Sequence, residues 1–233
     1  MEFIPNTKLL DHSETTTTLS SGKSITYSCK LEGGGIDHRE YFLRAIAWYG
    51  KPHYHRAFEW CAGHAIIGFE ILTNNIADTL TLSDYYDLSI DTCIENAKKL
   101  GFSKVVYAYL TSEISNIPIT EKWDLVVGNP PNAYDRDHIT KWMTDQGSPF
   151  DDELVNSLRI VLDTDWQAHR EFFKNLKDRL SHDADIFLSA RDEKEFIGEI
   201  EKIANGYGFV LLKEHTAKMP TFDLSIFHFK YHE

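Results

Sequence analysis

The sequence predicts an α/β fold in which a mostly parallel sheet lies between two layers of helices. From about residue 56 onward, short apolar segments of strand length alternate with longer amphipathic segments of helix length. Alternation of this kind predicts parallel βαβ units, which pack as a three-layer sandwich. The chain has 233 residues, of which 42% are hydrophobic, and this suits one domain of that class with a short additional element.

The first 50 residues differ in composition from the rest and are predicted to form an accessory segment. Ser24–Cys29 alternates polar and apolar residues, which indicates a hairpin, and Gly33–Gly35 indicates a loop. Asp37–Tyr49 places apolar residues at helical spacing behind an acidic residue, so a helix is expected there. The main domain is expected to span residues 51–233.

The main domain is predicted to contain seven strands, four helices and one long insertion. The predicted strands are 57–61, 79–82, 104–110, 123–127, 185–189, 209–213 and 224–229, and the predicted helices are 65–76, 88–100, 166–180 and 193–204. The insertion, at about 132–165, is polar and irregular apart from a helix predicted near 152–162. Insertions of this length after a strand usually build a binding site rather than a core.

Composition restricts the partners and the location that we expect. The formal net charge is −12, and no run of Lys or Arg is present, so a nucleic acid partner is disfavoured. Three cysteines without paired spacing indicate a reducing compartment, which predicts a cytoplasmic protein. The longest apolar segment, Ala65–Leu72, is too short to cross a bilayer, so no membrane contact is expected.

The turn after the first strand of the main domain is built from small residues, namely Cys61, Ala62, Gly63 and Ala65. Small side chains allow a ligand to approach the backbone, and the helix that follows offers unpaired N–H groups. A tight strand–helix turn that binds nothing would have the same composition.

Two cofactors use a turn of this kind. Gly63–Gly68 fits the dinucleotide pattern G-x-A-x-x-G, with Asp84 placed where a ribose-binding acid belongs. The same turn also fits acid-x-G-x-G-x-G, the nucleoside motif of methyltransferases, with Glu59 as the acid and with Cys61 and Ala65 in glycine positions. A carboxylate here would repel a pyrophosphate but would attract the sulfonium and ammonium groups of S-adenosylmethionine, which favours the second interpretation.

Asp84 follows the second strand, with Tyr85 beside it. A carboxylate in this position can accept hydrogen bonds from both ribose hydroxyls of a nucleoside. Alternatively, Asp84 could cap the helix that follows. We expect it to bind the ribose, with Tyr85 as a neighbouring contact.

Asn129-Pro130-Pro131 is the most specific motif in the chain. The two prolines restrict the backbone, and Asn129 is confined to extended conformations because it precedes a proline. A rigid Asn side chain and a neighbouring carbonyl can accept both N–H bonds of an –NH2 group, which aims the nitrogen lone pair at an activated methyl. A strand-terminating turn without chemistry is the alternative.

Together these motifs resemble the class I methyltransferases of the amino-methylating branch, which includes the release-factor glutamine methyltransferases. The resemblance rests on Glu59–Gly63, Ser83-Asp84, Glu95–Ala97 and Asp124–Pro131 in that order. It implies a Rossmann-like three-layer sandwich with a seven-stranded sheet whose last strand is antiparallel. It also implies S-adenosylmethionine as methyl donor, with Asn129 and Pro130 as catalytic residues that grip the target nitrogen.

Several positions depart from the family pattern or extend it. Asn132 occupies a position that is usually aromatic, Tyr134 follows two residues later, and Ser112 stands where the family often has Asp. We expect Ser112 to contact the cofactor. Further candidate substrate residues begin the helix after the insertion, namely Trp166, His169 and Arg170. His169 could take a proton from the methylated nitrogen, although a surface histidine on a helix is the simpler interpretation.

His53 and His55 would share one face of a strand, but the sequence places no acidic or Cys partner beside them, so no metal site is predicted. The function predicted overall is S-adenosylmethionine-dependent N-methylation of a small-molecule or peptide acceptor. The alternatives are a nicotinamide-dependent oxidoreductase, which would leave Asn129-Pro-Pro unexplained, and a non-catalytic module that binds the cofactor.

Overall fold

The computed structural model describes residues 14–28, 35–132, 137, 162–191, 194–218 and 223–232. Nine strands are present in this part of the chain: β1 (Glu14–Thr18), β2 (Ser24–Ser28), β3 (Tyr54–Trp60), β4 (Ala77–Asp84), β5 (Val106–Leu110), β6 (Trp123–Gly128), β7 (Leu180–Arg191), β8 (Phe209–Lys218) and β9 (Asp223–Tyr231). The α-helices are α1 (Gly35–Tyr49), α2 (Ile66–Thr73), α3 (Asp87–Leu100), α4 (Gln167–Leu176) and α5 (Lys194–Gly206). Tyr134 and the helix predicted near 152–162 lie outside the described residues, apart from Leu162.

Seven strands form one sheet in the order β5-β4-β3-β6-β7-β9-β8. Strands β3 to β7 run parallel to one another, and β9 runs antiparallel to both β7 and β8. The predicted fold class, a mostly parallel seven-stranded sheet with an antiparallel last strand, is confirmed. The order differs from the dinucleotide-binding order 3-2-1-4-5-6 because β9 is inserted before the edge strand.

The observed elements differ from the predicted ones mainly in length. Helix α2 begins one residue later than predicted, because Ala65 has a left-handed backbone, with φ of 55°, and cannot belong to the helix. Strand β7 begins earlier than predicted, where Leu180 pairs with Trp123 of β6, and strand β8 continues to Lys218 because its polar residues still pair with β9.

The hairpin β1–β2 is fastened to the helices of the main domain by buried polar side chains. Glu70 of α2 accepts hydrogen bonds from the backbone N–H and the hydroxyl of Ser20. Asn96 of α3 bonds both the N–H and the carbonyl of Thr26, at 2.8 and 2.7 Å. Because Glu70 and Asn96 are almost fully buried, removal of either would leave unpaired polar groups in the interior.

The sheet separates two hydrophobic layers. On one face, α1 and the hairpin contribute Phe42 and Ile25 to a layer that also contains Phe69 and Leu80. On the other face, α4 and α5 cover an aromatic layer in which Phe58 stacks on Trp123 with ring centroids 4.0 Å apart. Among the described helices, none has both the length and the apolar character needed to cross a lipid bilayer.

Candidate active site

Three predicted motifs meet at the carboxyl edge of the sheet. Trp60, the last residue of β3, is aligned with Ser83 of β4 on one side and with Gly128 of β6 on the other. The next residue of each strand is therefore Cys61, Asp84 or Asn129. In open parallel sheets this edge is where ligands bind. The turn, the acidic residue and the Asn-Pro-Pro motif thus lie side by side at a typical binding edge.

The turn after β3 has left-handed backbone at alternate positions. Cys61, Gly63 and Ala65 have φ of 52°, 51° and 55°. Residues other than glycine pay a steric penalty in this region, so the glycines of the acid-x-G-x-G-x-G pattern are explained by backbone geometry. Here two of the three positions carry the smallest alternatives, Cys and Ala, and the turn is retained.

The left-handed turn predicts different effects on stability for the same substitution, alanine to glycine, at two positions. Ala65 and Ala62 are both buried, but only Ala65 has a positive φ. We expect Ala62→Gly to lower the free energy of unfolding by about 1 kcal/mol, because glycine gains freedom in the unfolded chain. Ala65→Gly should be close to neutral, because relief of the left-handed strain offsets that loss. Urea denaturation would measure both, and equal losses would contradict the strain at Ala65.

Asp84 is buried and holds two turns together. Its carboxylate accepts hydrogen bonds from the N–H of Gly63, at 2.7 Å, and from the N–H of Tyr86, at 2.9 Å. Burial raises the pKa of Asp84 despite these bonds. The backbone of Tyr85 is a third donor, so one of the four acceptor sites of the carboxylate remains for a hydroxyl. Tyr85 and Ser112 are exposed next to this turn, and the loop that carries Ser112 begins with Thr111, whose N–H bonds the Asp84 carbonyl.

Glu59 lies under the first turn of α2 rather than at the open edge. Its carboxyl accepts a hydrogen bond from the N–H of Gly68 at 2.8 Å. A Cβ at Gly68 would lie 2.4 Å from Glu59 Oε2 and 2.7 Å from a methyl of Leu80, so the helix and the strands require glycine there. Burial raises the pKa of Glu59 to about 8, so the group is largely uncharged at neutral pH. The sheet order, rather than a negative charge on Glu59, therefore distinguishes this fold from a dinucleotide-binding one.

His64 is buried inside the turn. Its Nε2 accepts a hydrogen bond from the N–H of Ser28 at 3.3 Å, which joins the turn to strand β2. An Nε2 that accepts carries no hydrogen, so the ring is neutral in this arrangement. Burial lowers the pKa of His64 to about 4. The sequence offers no signal for this contact, since it depends on where the hairpin packs.

The lowered pKa of His64 predicts that the protein becomes less stable to unfolding as the pH falls. Because its pKa is lower in the folded chain than in the unfolded chain, the unfolded chain binds more protons between about pH 4 and 6.5. The free energy of unfolding should fall as the pH falls through this window, by about 1 kcal/mol per pH unit. His64→Gln keeps an acceptor for Ser28 but does not titrate, so its urea denaturation should depend less on pH. An unchanged pH dependence in the variant would contradict this assignment.

Asn129 is held by two residues that the sequence analysis did not identify. The hydroxyl of Ser189, on β7, donates to Asn129 Oδ1 at 2.5 Å. The ring of His38, on α1, is also hydrogen-bonded to the Asn129 side chain, and burial lowers the pKa of His38. Pro130 behind it is buried. The Asn129 amide is thus fixed from two sides by side chains that are remote in sequence.

The remaining candidate substrate residues lie at different depths. Asn132 is half-buried, and its Oδ1 has no hydrogen-bond partner within the described part of the chain. Arg170 is exposed and donates to the carbonyl of Asp165, at 3.3 Å.

His169 forms a buried pair with Asp163, so the interpretation of His169 as a surface residue is wrong. Its Nδ1 lies 2.7 Å from an Asp163 carboxylate oxygen, and both side chains are nearly inaccessible. The imidazole lies edge-on to the rings of Trp60 and Trp166, with centroids 5.3 and 5.1 Å away. Burial, with the charges of Asp84 and then Asp163, raises the pKa of the Cys61 thiol, which indicates that this pair lies near the turn.

Comparison with known proteins agrees with the fold. No protein-family model matches the sequence, and no curated protein does. A Pyrococcus horikoshii protein that carries the name of an RNA methyltransferase is similar in structure, with a TM-score of 0.56 and 16% identity over 82% of this chain and 80% of that one. The ribosomal protein L11 methylase of Lactobacillus delbrueckii is similar with a TM-score of 0.53 and 14% identity, over 82% of this chain and 77% of that one. TrmK of M. capricolum, solved with S-adenosylhomocysteine, is similar with a TM-score of 0.53 and 11% identity, over 81% of this chain and 67% of that one.

These similarities correct one expectation from composition. The exclusion of nucleic acid partners, based on a net charge of −12, is wrong, because proteins with this fold include one named as an RNA methyltransferase. Net charge describes the whole surface, whereas a nucleic acid site needs only a local surface of suitable charge. The chain has the fold of the class I methyltransferases.

Proposed function

We propose that this chain is an S-adenosylmethionine-dependent methyltransferase that methylates an –NH2 nitrogen attached to a carbonyl or an aromatic ring. The observation that carries the proposal is the juxtaposition at the carboxyl edge of Asp84, the left-handed turn and Asn129 on adjacent parallel strands. The substituted glycines do not weaken it, because Cys61 and Ala65 adopt the backbone that glycine would adopt.

The proposed cofactor fits the residues of this edge. Asp84 retains one acceptor site for a ribose hydroxyl, and the small residues of the turn would leave the backbone open to the methionine portion. The residues that we propose to surround the cofactor are Cys61, Ala62, Gly63, Ala65, Asp84, Tyr85, Ser112 and Asn129. Glu59, also expected there from the sequence, would instead support the turn from beneath through Gly68. When bound, S-adenosylmethionine would supply a methyl group activated by its sulfonium.

Asn129 is proposed to orient the acceptor nitrogen. Its Oδ1 accepts a hydrogen bond from Ser189 and its side chain is also bonded to His38, so the amide would be presented to an N–H of the acceptor in a fixed orientation. A neighbouring backbone carbonyl, such as that of Pro130, would accept the other N–H. An amide or arylamine nitrogen is a poor nucleophile because its lone pair is delocalised, and fixing both hydrogens out of plane directs the lone pair toward the methyl.

Methylation leaves a proton on the nitrogen that must be removed. His38 is proposed to take it, because the ring is hydrogen-bonded to Asn129 and burial keeps it neutral. When bound, S-adenosylmethionine would supply the methyl group, and a ring nitrogen of His38 would take the proton that the acceptor nitrogen loses. His169 is the other candidate for this role, because Asp163 holds its Nδ1 and leaves Nε2, which has no partner among the described residues, as the accepting nitrogen.

The acceptor itself is proposed to be a small molecule or a peptide, with Asn132, Tyr134, Trp166, His169 and Arg170 as candidate contacts. The Oδ1 of Asn132 supports this, since it is buried without a partner among the described residues and could be satisfied by a ligand N–H. RNA is also included among the acceptors in the assay below, because the fold also occurs in a protein named as an RNA methyltransferase.

Two measurements test the proposal. Isothermal titration should show binding of S-adenosylhomocysteine and none of NAD; the reverse result would favour the oxidoreductase alternative. Small molecules, peptides and tRNA incubated with S-adenosylmethionine should then show a mass gain of one methyl group in one class. If the chain binds S-adenosylhomocysteine but methylates none of them, a non-catalytic binding module becomes the better interpretation.

A further inference from the structure

Two histidines and an aspartate converge at the edge of the sheet opposite the candidate active site. His53 precedes β3, His55 is its second residue, and Asp78 is the second residue of the neighbouring strand β4. One ligand atom from each lies within 4.8 Å of the others. The sequence analysis predicted no metal site because His53 and His55 have no acidic partner nearby in the chain. The parallel pairing of β3 with β4 supplies that partner as Asp78.

The hydrogen bonds of His53 leave an electrostatic conflict. Its Nδ1 lies 3.0 Å from the Asn75 carbonyl, which can only accept, so Nδ1 carries the hydrogen. In a neutral ring, Nε2 then presents a lone pair to an Asp78 carboxylate oxygen at 3.1 Å. Two acceptors at that distance repel unless a proton or a cation lies between them.

A metal ion resolves the same conflict and also uses His55. The Nδ1 of His55 lies 3.0 Å from the second oxygen of the same carboxylate. Donor atoms around a tetrahedral Zn²⁺ are about 3.3 Å apart, because zinc–ligand bonds are about 2.0–2.1 Å long. The observed spacings are therefore close to those of a metal site. A ring N–H donated to a carbonyl, as in His53, is also the usual outer-shell contact of a histidine ligand.

The backbone that carries His55 is held from both neighbouring strands. Its N–H donates to the Asp124 carboxylate of β6 at 2.9 Å. Its carbonyl accepts from the Thr79 hydroxyl of β4 at 3.2 Å. These contacts fix the main chain under the three side chains, so less ordering is needed when an ion binds.

We propose that His53, His55 and Asp78 form a binding site for a divalent transition-metal ion, with Zn²⁺ as the reference ion. Two imidazoles and one carboxylate suit Zn²⁺, Co²⁺ or Ni²⁺ better than Mg²⁺, which prefers oxygen ligands. All three side chains are exposed, so water can fill the remaining coordination positions.

Titration of the full chain with ZnCl₂ after removal of metals with EDTA tests the proposal. Calorimetry should show one Zn²⁺ bound per chain, no comparable binding of Mg²⁺, and a higher Tm in the presence of Zn²⁺. His55→Ala and Asp78→Ala should each weaken Zn²⁺ binding at least tenfold, the lower end of what loss of an outer-shell partner costs. His182→Ala, which removes another exposed strand histidine, should leave it unchanged.

The absence of Zn²⁺ binding would overturn the proposal. So would equal affinity in the wild type and in the His55→Ala and Asp78→Ala variants, which would place the ion elsewhere, for instance at a cysteine. Circular dichroism of each variant would check that the fold is retained. Because the site lies at the opposite edge of the sheet, these results do not depend on whether the chain transfers a methyl group.

Discussion

Asn129→Ala is expected to lower the rate of methyl transfer by about 100-fold or more, the scale observed when a transition-state hydrogen-bond partner is removed. The affinity for S-adenosylhomocysteine should stay nearly constant, because Asp84 and the turn provide most of the proposed cofactor contacts. Single-turnover kinetics and isothermal titration would separate the two effects. An alanine variant with full turnover would exclude Asn129 from the chemistry.

Two further variants would define what Asn129 contributes. Asn129→Asp keeps an acceptor oxygen and adds charge, so it should retain more activity than alanine if the acceptor nitrogen gains positive charge during transfer. Ser189→Ala leaves Asn129 in place but removes the hydroxyl that holds its Oδ1. We expect a smaller loss from Ser189→Ala than from Asn129→Ala, because the acceptor contact survives while its orientation is relaxed. A larger loss would assign the acceptor contact to Ser189 instead.

Asp84→Ala is expected to weaken binding of S-adenosylmethionine by about 1.5–3 kcal/mol, the scale of a lost hydrogen bond to a charged group. This corresponds to about a 10- to 150-fold increase in Kd. Because Asp84 also holds the N–H groups of Gly63 and Tyr86, part of the loss would come from a less ordered turn. Isothermal titration with S-adenosylhomocysteine would measure the change.

Asp87→Ala provides the matched control for Asp84. Asp87 lies three residues further along, is exposed, and its carboxylate bonds only the N–H of Leu88 among the contacts of the described residues. We expect its cofactor affinity to equal that of the wild type. If Asp84→Ala has wild-type affinity while its unfolding curve shows an intact fold, the ribose assignment is incorrect.

The sequence was sufficient to predict the fold because its signals are local. Short apolar segments, helix spacing and the motif order each lie within one or two elements, and parallel strands bring their carboxyl ends to one edge. The proximity of Asp84 and Asn129 to the turn at Cys61 follows from that rule alone. Even the substituted glycines were informative, because small residues occupy the positions where the backbone is left-handed.

The side-chain partners could not be predicted because they depend on register and on packing between remote segments. His38 reaches Asn129 only because α1 packs against α2 and β9, and no periodicity in the sequence encodes that contact. His64 is buried only because β2 lies against the turn. Asp78 faces His55 because β3 and β4 pair in one particular register, which a single strand pattern does not specify.

The hydrogen bond between His38 and Asn129 implies that the smallest active fragment of this protein must include α1. The motifs from Glu59 to Asn132 occupy the middle of the chain, yet the residues that hold Asn129 come from α1 on one side and β7 on the other. A fragment chosen to contain every recognisable motif would lack both supports and would expose the face that Phe42 now covers. Grafting the segment from Glu59 to Asn132 onto another protein would therefore transfer the sequence motifs but not the geometry of the site.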